Sequence, residues 1–174
     1  NQLSDLQDLS SIGGIINFTT ENNTLEFDDL EPNIGVTGFT YSPQANLIGP
    51  GDQNLVEGGI LNVTIPVGGS ANQYQWYKDG SPIASQTSDN LLISSLTLAD
   101  AGTYYLEVTS TIVTGLILTS DSFVVTVTPV APEIDVYLGL DNTGIAILDG
   151  QVTAIGFGSA TIGTDIVQTF AIEN

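Results

Sequence analysis

Between about Thr37 and Thr128, hydrophobic residues recur in short runs that are separated by turn residues. The run from 61 to 65 alternates strictly between apolar and polar positions, which is typical of a strand with one buried face. Asp79-Gly80 predicts a tight hairpin turn, because glycine adopts positive φ without steric cost. The other predicted strands are 74–78, 91–93 and 103–108, with a last strand pair between Ile112 and Val127. This pattern predicts an all-β fold, an antiparallel sandwich.

Two motifs in this region resemble a known family. Trp76 lies in Gln-Trp-Tyr-Lys-Asp-Gly, and further along stand Asp100, Gly102 and Tyr104 at alternate positions. Together they resemble the strand C and strand E to F signature of the immunoglobulin fold. The resemblance implies that Trp76 packs at the centre of the sandwich and that the Tyr104 hydroxyl bonds to backbone upstream.

The chain has no cysteine, so it lacks the disulfide of that family. Leu106 stands where the family has its second cysteine, and the first would fall near Val63 or Ile65. Apolar burial at these positions partly offsets the lost cross-link, so we expect the fold to survive. Asp100 has no arginine to pair with, and we expect it to accept backbone N–H bonds in its turn. The predicted structural core is Trp76, Tyr104, Leu106, Val63, Ile65, Asp100 and Gly102.

Residues 3–18 carry apolar side chains at every third position, a spacing that is typical of neither an amphipathic helix nor an alternating strand. Asn1-Gln2-Leu3 returns as Asn23-Thr24-Leu25, a period of 22 residues. The segment resembles the last repeat of a leucine-rich-repeat solenoid, with residues 25–33 as its cap. One repeat cannot bury a core alone, so we expect it to lean on its neighbour or to lack most of its module.

Val130-Ala131-Pro132 predicts a domain boundary, because proline interrupts strand pairing. Beyond it, strands are predicted near 133–137, 144–148 and 168–173. Residues 132–136, 157–158 and 169–174 resemble the opening of a choice-of-anchor D module, which implies the N-terminal part of a truncated second β-sandwich. The predicted organisation is a last leucine-rich repeat and cap at 1–34, an immunoglobulin-like domain at 35–130 and the second sandwich at 131–174.

Composition excludes several classes of function. The chain has 20 Asp plus Glu residues but one basic residue, Lys78, so its net charge is -19. Such a polyanion cannot bind nucleic acid or an anionic membrane by charge. The absence of His and Cys excludes imidazole and thiol catalysis, and we predict no enzymatic activity. No apolar run is long enough for a transmembrane segment.

Two groups of carboxylates are candidate calcium sites, because hard oxygen ligands suit this ion and only Lys78 could pair with them. A solvated acidic surface is the alternative interpretation of both groups. No cofactor other than calcium is predicted. The candidates are Glu26, Asp28, Asp29 and Glu31 in the first group, and Asp135, Asp141 and Asp149 in the second.

Two smaller features have competing interpretations. Lys78 could form an isopeptide cross-link. The favoured interpretation is that its aliphatic stem lies over the edge of the core and its ammonium group stays in water. Tyr74, Tyr77 and Tyr105 suggest an aromatic platform for sugars, but cross-strand packing is favoured.

Taken together, these patterns resemble a fragment of a modular surface protein of Bacteroidetes-like bacteria. The predicted function is a noncatalytic extracellular module, a rigid spacer and adhesion or recognition segment, at the cell surface or secreted. Its partner would be a protein or glycan ligand on a surface, or neighbouring copies of itself. One alternative is a subunit of an extracellular filament, completed by strand exchange at residues 168–174. Another is a carbohydrate-binding accessory module of a secreted enzyme.

Overall fold

A computed structural model describes residues 3–14 and 17–130, together with the backbone of three short strands further along. The chain divides into two compact units, Asn1–Pro129 and Val130–Asn174. The predicted segment 1–34 therefore lies in the same unit as the predicted sandwich.

Short strands dominate the described part of the first unit. Helical structure is limited to α1 (Phe27–Leu30) and the 3-10 helices Glu31–Asn33 and Leu98–Asp100. The strands are β1 (Phe18–Thr19), β2 (Phe39–Thr40), β3 (Gln53–Val56), β4 (Ile60–Thr64), β5 (Asn72–Lys78), β6 (Ser81–Pro82), β7 (Asn90–Ser94), β8 (Gly102–Ser110), β9 (Ile117–Thr119) and β10 (Phe123–Thr128).

Two sheets form the sandwich. The larger follows the order β3-β10-β8-β5-β6, with β9 paired to β8, and the smaller is the antiparallel pair β4-β7. Alternate residues of the long strands face inward, so the apolar faces of both sheets join one hydrophobic cluster. This is the all-β sandwich that the alternating pattern predicts.

The prediction of a wholly antiparallel sandwich is wrong at one edge. β3 pairs in parallel with β10, from Gln53 opposite Val125 to Val56 opposite Thr128. The segment before β3 also runs parallel to this part of the sheet, as the parallel bridge between Leu47 and Ser120 shows. The sheet is therefore mixed, and β3 is a strand that the sequence pattern did not reveal.

The predicted strand at Ile112 is also wrong. Ile112 lies in a turn between β8 and β9, where the Ser110 hydroxyl accepts the N–H groups of Ile112 and Val113 at 3.1 and 3.2 Å. A side chain that satisfies backbone donors in this way favours a turn over a continuing strand.

Trp76 lies at the centre of the core and is 0% exposed. Its indole N–H donates to the Ser88 carbonyl at 2.9 Å, and its ring meets Phe123 edge-on. The Tyr104 ring stacks on the ring of Phe123, and the two ring centroids are 5.9 Å apart. Leu106, Val63 and Ile65 are buried as well, so apolar side chains fill the space that a disulfide would occupy.

Tyr104 also fixes the corner before β8. Its hydroxyl donates to the Asp100 carbonyl at 2.7 Å, and burial raises the pKa of Tyr104 to about 12. The Asp100 carboxylate accepts the Thr97 backbone N–H and hydroxyl, both at 2.8 Å. Gly102 completes the corner, because a Cβ there would lie 2.7 Å from the Asp79 carboxylate and 2.8 Å from the Lys78 stem.

The hairpin between β5 and β6 turns at Asp79 and Gly80, which have φ of 49° and 76°. Two consecutive positive φ values define the hairpin turn whose twist matches that of the strands. The Asp79 carboxylate accepts the Thr103 N–H at 2.9 Å and ties the hairpin to the start of β8.

The N-terminal segment forms coils that stack in parallel. β1 pairs in parallel with β2, with Phe18 opposite Phe39, about one period of the predicted repeat later. Asparagine side chains link successive coils. The Asn23 side chain accepts the Leu3 N–H at 2.9 Å, and the buried Asn33 accepts the Leu9 N–H at 2.8 Å.

In the second unit the structure describes the backbone of β11 (Asp135–Leu138), β12 (Ala146–Ile147) and β13 (Phe170–Glu173). They form an antiparallel sheet in the order β12-β11-β13. The choice-of-anchor D resemblance and strand exchange at residues 168–174 stay predictions, because most of their residues lie outside those described.

We predict that Tyr104→Phe lowers the free energy of unfolding by about 1 kcal/mol, because the Asp100 carbonyl loses its buried donor. Tyr105→Phe is the matched control, since Tyr105 lies on the outer side of the same strand, and we expect a change within about 0.5 kcal/mol. Urea denaturation of both variants measures the difference. Equal losses would contradict a structural role for the Tyr104 hydroxyl.

We also predict an acid-sensitive contribution from Asp100. The hydrogen bonds from the Thr97 backbone and hydroxyl hold the pKa of Asp100 below its ordinary value of 3.8. A carboxylate with a depressed folded pKa stabilises the fold above its unfolded pKa, and the contribution disappears as pH falls through the folded value. The stability difference between wild type and Asp100→Asn should therefore shrink as pH is lowered from about 6 to about 2. A difference that is independent of pH would contradict this assignment.

Candidate functional site

Two regions of the first unit carry functional side chains: the joint between α1 and the sandwich, and the outer face of the larger sheet. At the joint, two of the four carboxylates in the first candidate calcium group accept backbone N–H groups. The Glu26 carboxylate accepts the Gly68 N–H at 2.5 Å. The Glu31 carboxylate accepts both the N–H and the hydroxyl of Ser70 at 2.8 Å.

Of the other two acids of the group, Asp29 caps the short helix. One Asp29 oxygen accepts the Glu26 N–H at 3.0 Å, and the other accepts the Leu6 N–H at 3.4 Å. Asp28 is exposed. Within residues 3–14 and 17–130, no three acidic side chains come close enough to hold a metal ion. The first calcium prediction thus gains no geometric support.

The second candidate group lies outside the residues whose side chains the structure describes. Calcium binding there stays a prediction. Its members are Asp135, Asp141 and Asp149.

Apolar side chains bury the centre of the joint. Phe27 and Leu30 of α1 are both 0% exposed and belong to the same cluster as Trp76 and the rest of the sandwich core. Gly69 permits this approach, since a Cβ at that position would lie 2.7 Å from the Cβ of Phe27. The glycines at 68 and 69 thus let the helix contact the loop before β5 directly.

Besides the carboxylates and the apolar side chains of the joint, the segment between the N-terminal coils and β3 also contacts the sandwich. The Tyr41 hydroxyl donates to the Thr114 carbonyl at 2.8 Å. The Leu47 N–H donates to the Thr119 carbonyl at 2.9 Å, and the Leu47 carbonyl accepts the Asp121 N–H at 2.8 Å. The N-terminal coils are therefore attached to the sandwich at several points along the chain.

The outer face of the larger sheet presents a pair of tyrosines. Tyr77 on β5 lies directly opposite Tyr105 on β8, and their rings stack with centroids 4.8 Å apart and planes 1° apart. Tyr74 is not part of this pair, because its position has the inward parity of Trp76 and its hydroxyl lies 3.4 Å from the Val67 carbonyl. The proposed platform of three tyrosines is reduced to two.

A carboxylate lies beside the pair. Glu107 occupies the next outward position of β8 after Tyr105, opposite Gln75. Hydrogen bonding to Glu107, followed by burial and the charge of Glu107, raises the pKa of Tyr77 above its ordinary value of 10.0. We call the outward surface at Tyr77, Tyr105 and Glu107 the tyrosine face. The sequence shows its residues in alternation, but only strand register brings the two rings together.

Lys78, the one basic residue of the chain, is committed elsewhere. Its ammonium donates to the Ala99 carbonyl at 2.7 Å and lies 3.6 Å from the Asp79 carboxylate. It therefore stabilises the corner at which Asp100 and Tyr104 meet. This position agrees with the prediction that the aliphatic stem of Lys78 lies over the edge of the core. The ammonium, however, contacts the Ala99 carbonyl and the Asp79 carboxylate as well as solvent.

Comparison with known proteins adds a family to this geometry. Residues 48–127 match the family model described as immunoglobulin domain. This part of the chain is therefore similar to immunoglobulin domains. A search of curated protein sequences found no match.

Several solved structures are similar to part of this chain at low sequence identity. The extracellular domains 3–5 of Drosophila OTK share 17% identity over 45% of this chain and 33% of theirs, with a TM-score of 0.40. Duf (Kirre) D1 shares 21% identity over 48% of this chain and 94% of its own, with a TM-score of 0.41. Rst D1-D2 shares 17% identity over 58% of this chain and 70% of its own, with a TM-score of 0.42. The chain thus spans about a third of the length of the OTK structure. Among the described residues, no helix combines the length and apolarity needed to cross a membrane.

We predict that Glu107→Gln lowers the pKa of Tyr77 toward 10.0, because the variant weakens the hydrogen bond that the Tyr77 hydroxyl makes to the carboxylate and removes the negative charge beside it. NMR of ring-labelled tyrosine during an alkaline titration measures the shift. Glu21→Gln removes one exposed charge elsewhere and is the matched control. If both variants change the Tyr77 titration equally, overall charge and not Glu107 is responsible.

Proposed function

We propose that these residues form a noncatalytic extracellular module of a surface or secreted protein, in which the immunoglobulin-like sandwich is a rigid spacer that carries an adhesion or recognition segment. The observation that carries this proposal is the joint between α1 and the sandwich. Phe27 and Leu30 are buried in the core of the sandwich itself, so this joint is not a linker.

The joint is rigid because bending it would raise the free energy of the protein. Withdrawing two fully buried large side chains exposes apolar surface worth roughly 1.5–3 kcal/mol each. It would also separate the Glu26 and Glu31 carboxylates from the N–H groups of Gly68 and Ser70. Modules joined through small polar contacts move by default, whereas a shared hydrophobic core holds one orientation.

The N-terminal coils are the element that such a spacer would hold in place. Their parallel stacking and the asparagine side chains of Asn23 and Asn33, which accept N–H groups from the preceding coil, support the proposal that they end a leucine-rich solenoid. A bacterial surface origin is part of the same proposal and has only the sequence resemblance behind it.

The composition supports a noncatalytic role. The chain has no His or Cys, and the carboxylates at the joint accept backbone hydrogen bonds. A paired-carboxylate mechanism requires two such groups across a cleft at defined separation, and Glu26 and Glu31 are instead committed to structure.

Electron spin resonance tests the rigid joint, and the absence of native cysteine makes site-directed labelling direct. We expect spin labels at Ser11→Cys and Thr126→Cys, both exposed positions, to give one narrow distance distribution. A broad distribution in the otherwise unchanged chain would contradict the rigid spacer.

We predict that Gly69→Ala broadens this distribution and destabilises the protein by about 1–3 kcal/mol more than Gly51→Ala. Both glycines have positive φ, 134° at Gly69 and 77° at Gly51, so both variants carry backbone strain. A Cβ at Gly69 would also lie 2.7 Å from the Cβ of Phe27, whereas one at Gly51 would meet no atom within 4 Å. Urea denaturation measures the stability difference, and Trp76 fluorescence reports whether the sandwich remains folded. Equal effects of the two variants would show that the close packing at Gly69 does not hold the joint.

A further inference from the structure

The tyrosine face has an unusual balance of charge. The other outward positions of β5, β8, β9 and β10 are aromatic, amide, hydroxyl or aliphatic, and Glu107 is the one charged side chain at an outward position of these four strands. Lys78 lies at the end of β5 but donates to the Ala99 carbonyl. The face therefore offers aromatic rings and a carboxylate with no cation of its own nearby.

The geometry of the pair leaves ring surface available. Tyr77 and Tyr105 cover one face of each other, and both residues are partly exposed. Glu107 lies one outward position from Tyr105 on the same strand. A flat cation over a ring can therefore reach the carboxylate at the same time, which combines a cation–π contact with an ion pair.

We infer that the tyrosine face binds an arginine side chain presented by a protein partner. A guanidinium group is planar, stacks on aromatic rings and pairs with a carboxylate through two parallel hydrogen bonds, whereas a lysine ammonium does neither in the same way. The net charge of -19 also attracts basic partners over a longer range. This inference deepens the recognition part of the proposed function and rests on it.

The same observations disfavour two other occupants. A second copy of these 174 residues cannot supply the group, because the one basic residue is a lysine. A sugar would need donors as well as acceptors around the rings. The nearest amide donor, on Gln75, is already bound to the carbonyls of Trp76 and Ile83 at 2.8 and 2.9 Å.

NMR titration of the full chain with an acetylated peptide of alternating glycine and arginine tests the inference. A peptide with citrulline in place of arginine has nearly the same shape without the charge and is the control ligand. We expect amide shifts centred on Tyr77, Tyr105 and Glu107, and much weaker binding of the citrulline peptide. Binding of both peptides alike, shifts centred elsewhere or no binding would overturn the inference.

Variants separate this site from general attraction to an acidic protein. We expect Glu107→Gln and Tyr105→Ala each to weaken binding about fivefold, and Tyr105→Phe to keep it within about twofold, because the ring and not its hydroxyl is required. Glu21→Gln should change binding less than about twofold. Weakening by Glu21→Gln equal to that by Glu107→Gln would overturn the inference.

Two further readouts complete the experiment. A neutral oligosaccharide that shifts the same amides more strongly than the arginine peptide would overturn the inference in favour of a sugar site. Trp76 fluorescence checks that each variant is folded. Loss of arginine binding leaves the spin-label distances at the joint unchanged, so failure here is distinguishable from failure of the rigid spacer.

Discussion

Hydrogen bonds from backbone N–H groups to carboxylates position the parts of this fold that hydrophobic burial alone leaves free. The chain has 20 acidic residues and one basic residue, so an ion pair within the chain is available to very few of them. Asp100 accepts from Thr97 at the corner, and Asp79 accepts from Thr103 at the hairpin. Asp52 accepts from Val124 where the edge strand begins. A carboxylate that accepts hydrogen bonds from N–H groups stays charged. The N–H groups in turn gain an acceptor that they would otherwise lack.

The same chemistry connects the N-terminal coils to the sandwich. Glu26 and Glu31 reach across to the loop before β5, while Phe27 fills the apolar space behind it. Polar bonds of this kind set orientation, and burial supplies the energy that resists bending. The backbone donors reach Glu26 and Glu31 from a loop some 40 residues later in the sequence, so residue spacing alone does not reveal these hydrogen bonds.

Glu107 differs from these acids because it lies among outward side chains on a strand whose backbone groups already bond to neighbouring strands. Its neighbours are the stacked rings of Tyr77 and Tyr105. Carboxylates at corners and joints therefore serve the fold, whereas the carboxylate beside the rings lies on the outer face for which we infer an arginine partner. This division follows from the position of each acid relative to the sheet and not from its type.

The sequence by itself determined the sandwich and the hairpin at Asp79-Gly80, because strand alternation and turn conformation depend on neighbours only a few residues apart. The central Trp76 and the Tyr104 corner came from the resemblance to the immunoglobulin fold. The tertiary structure alone decided the parallel pairing of β3, the joint at Gly69 and the pairing of Tyr77 with Tyr105. Each of these depends on register between segments distant in sequence. A shift of one residue would turn every side chain of a strand to the opposite face, and single-chain periodicity does not contain that information.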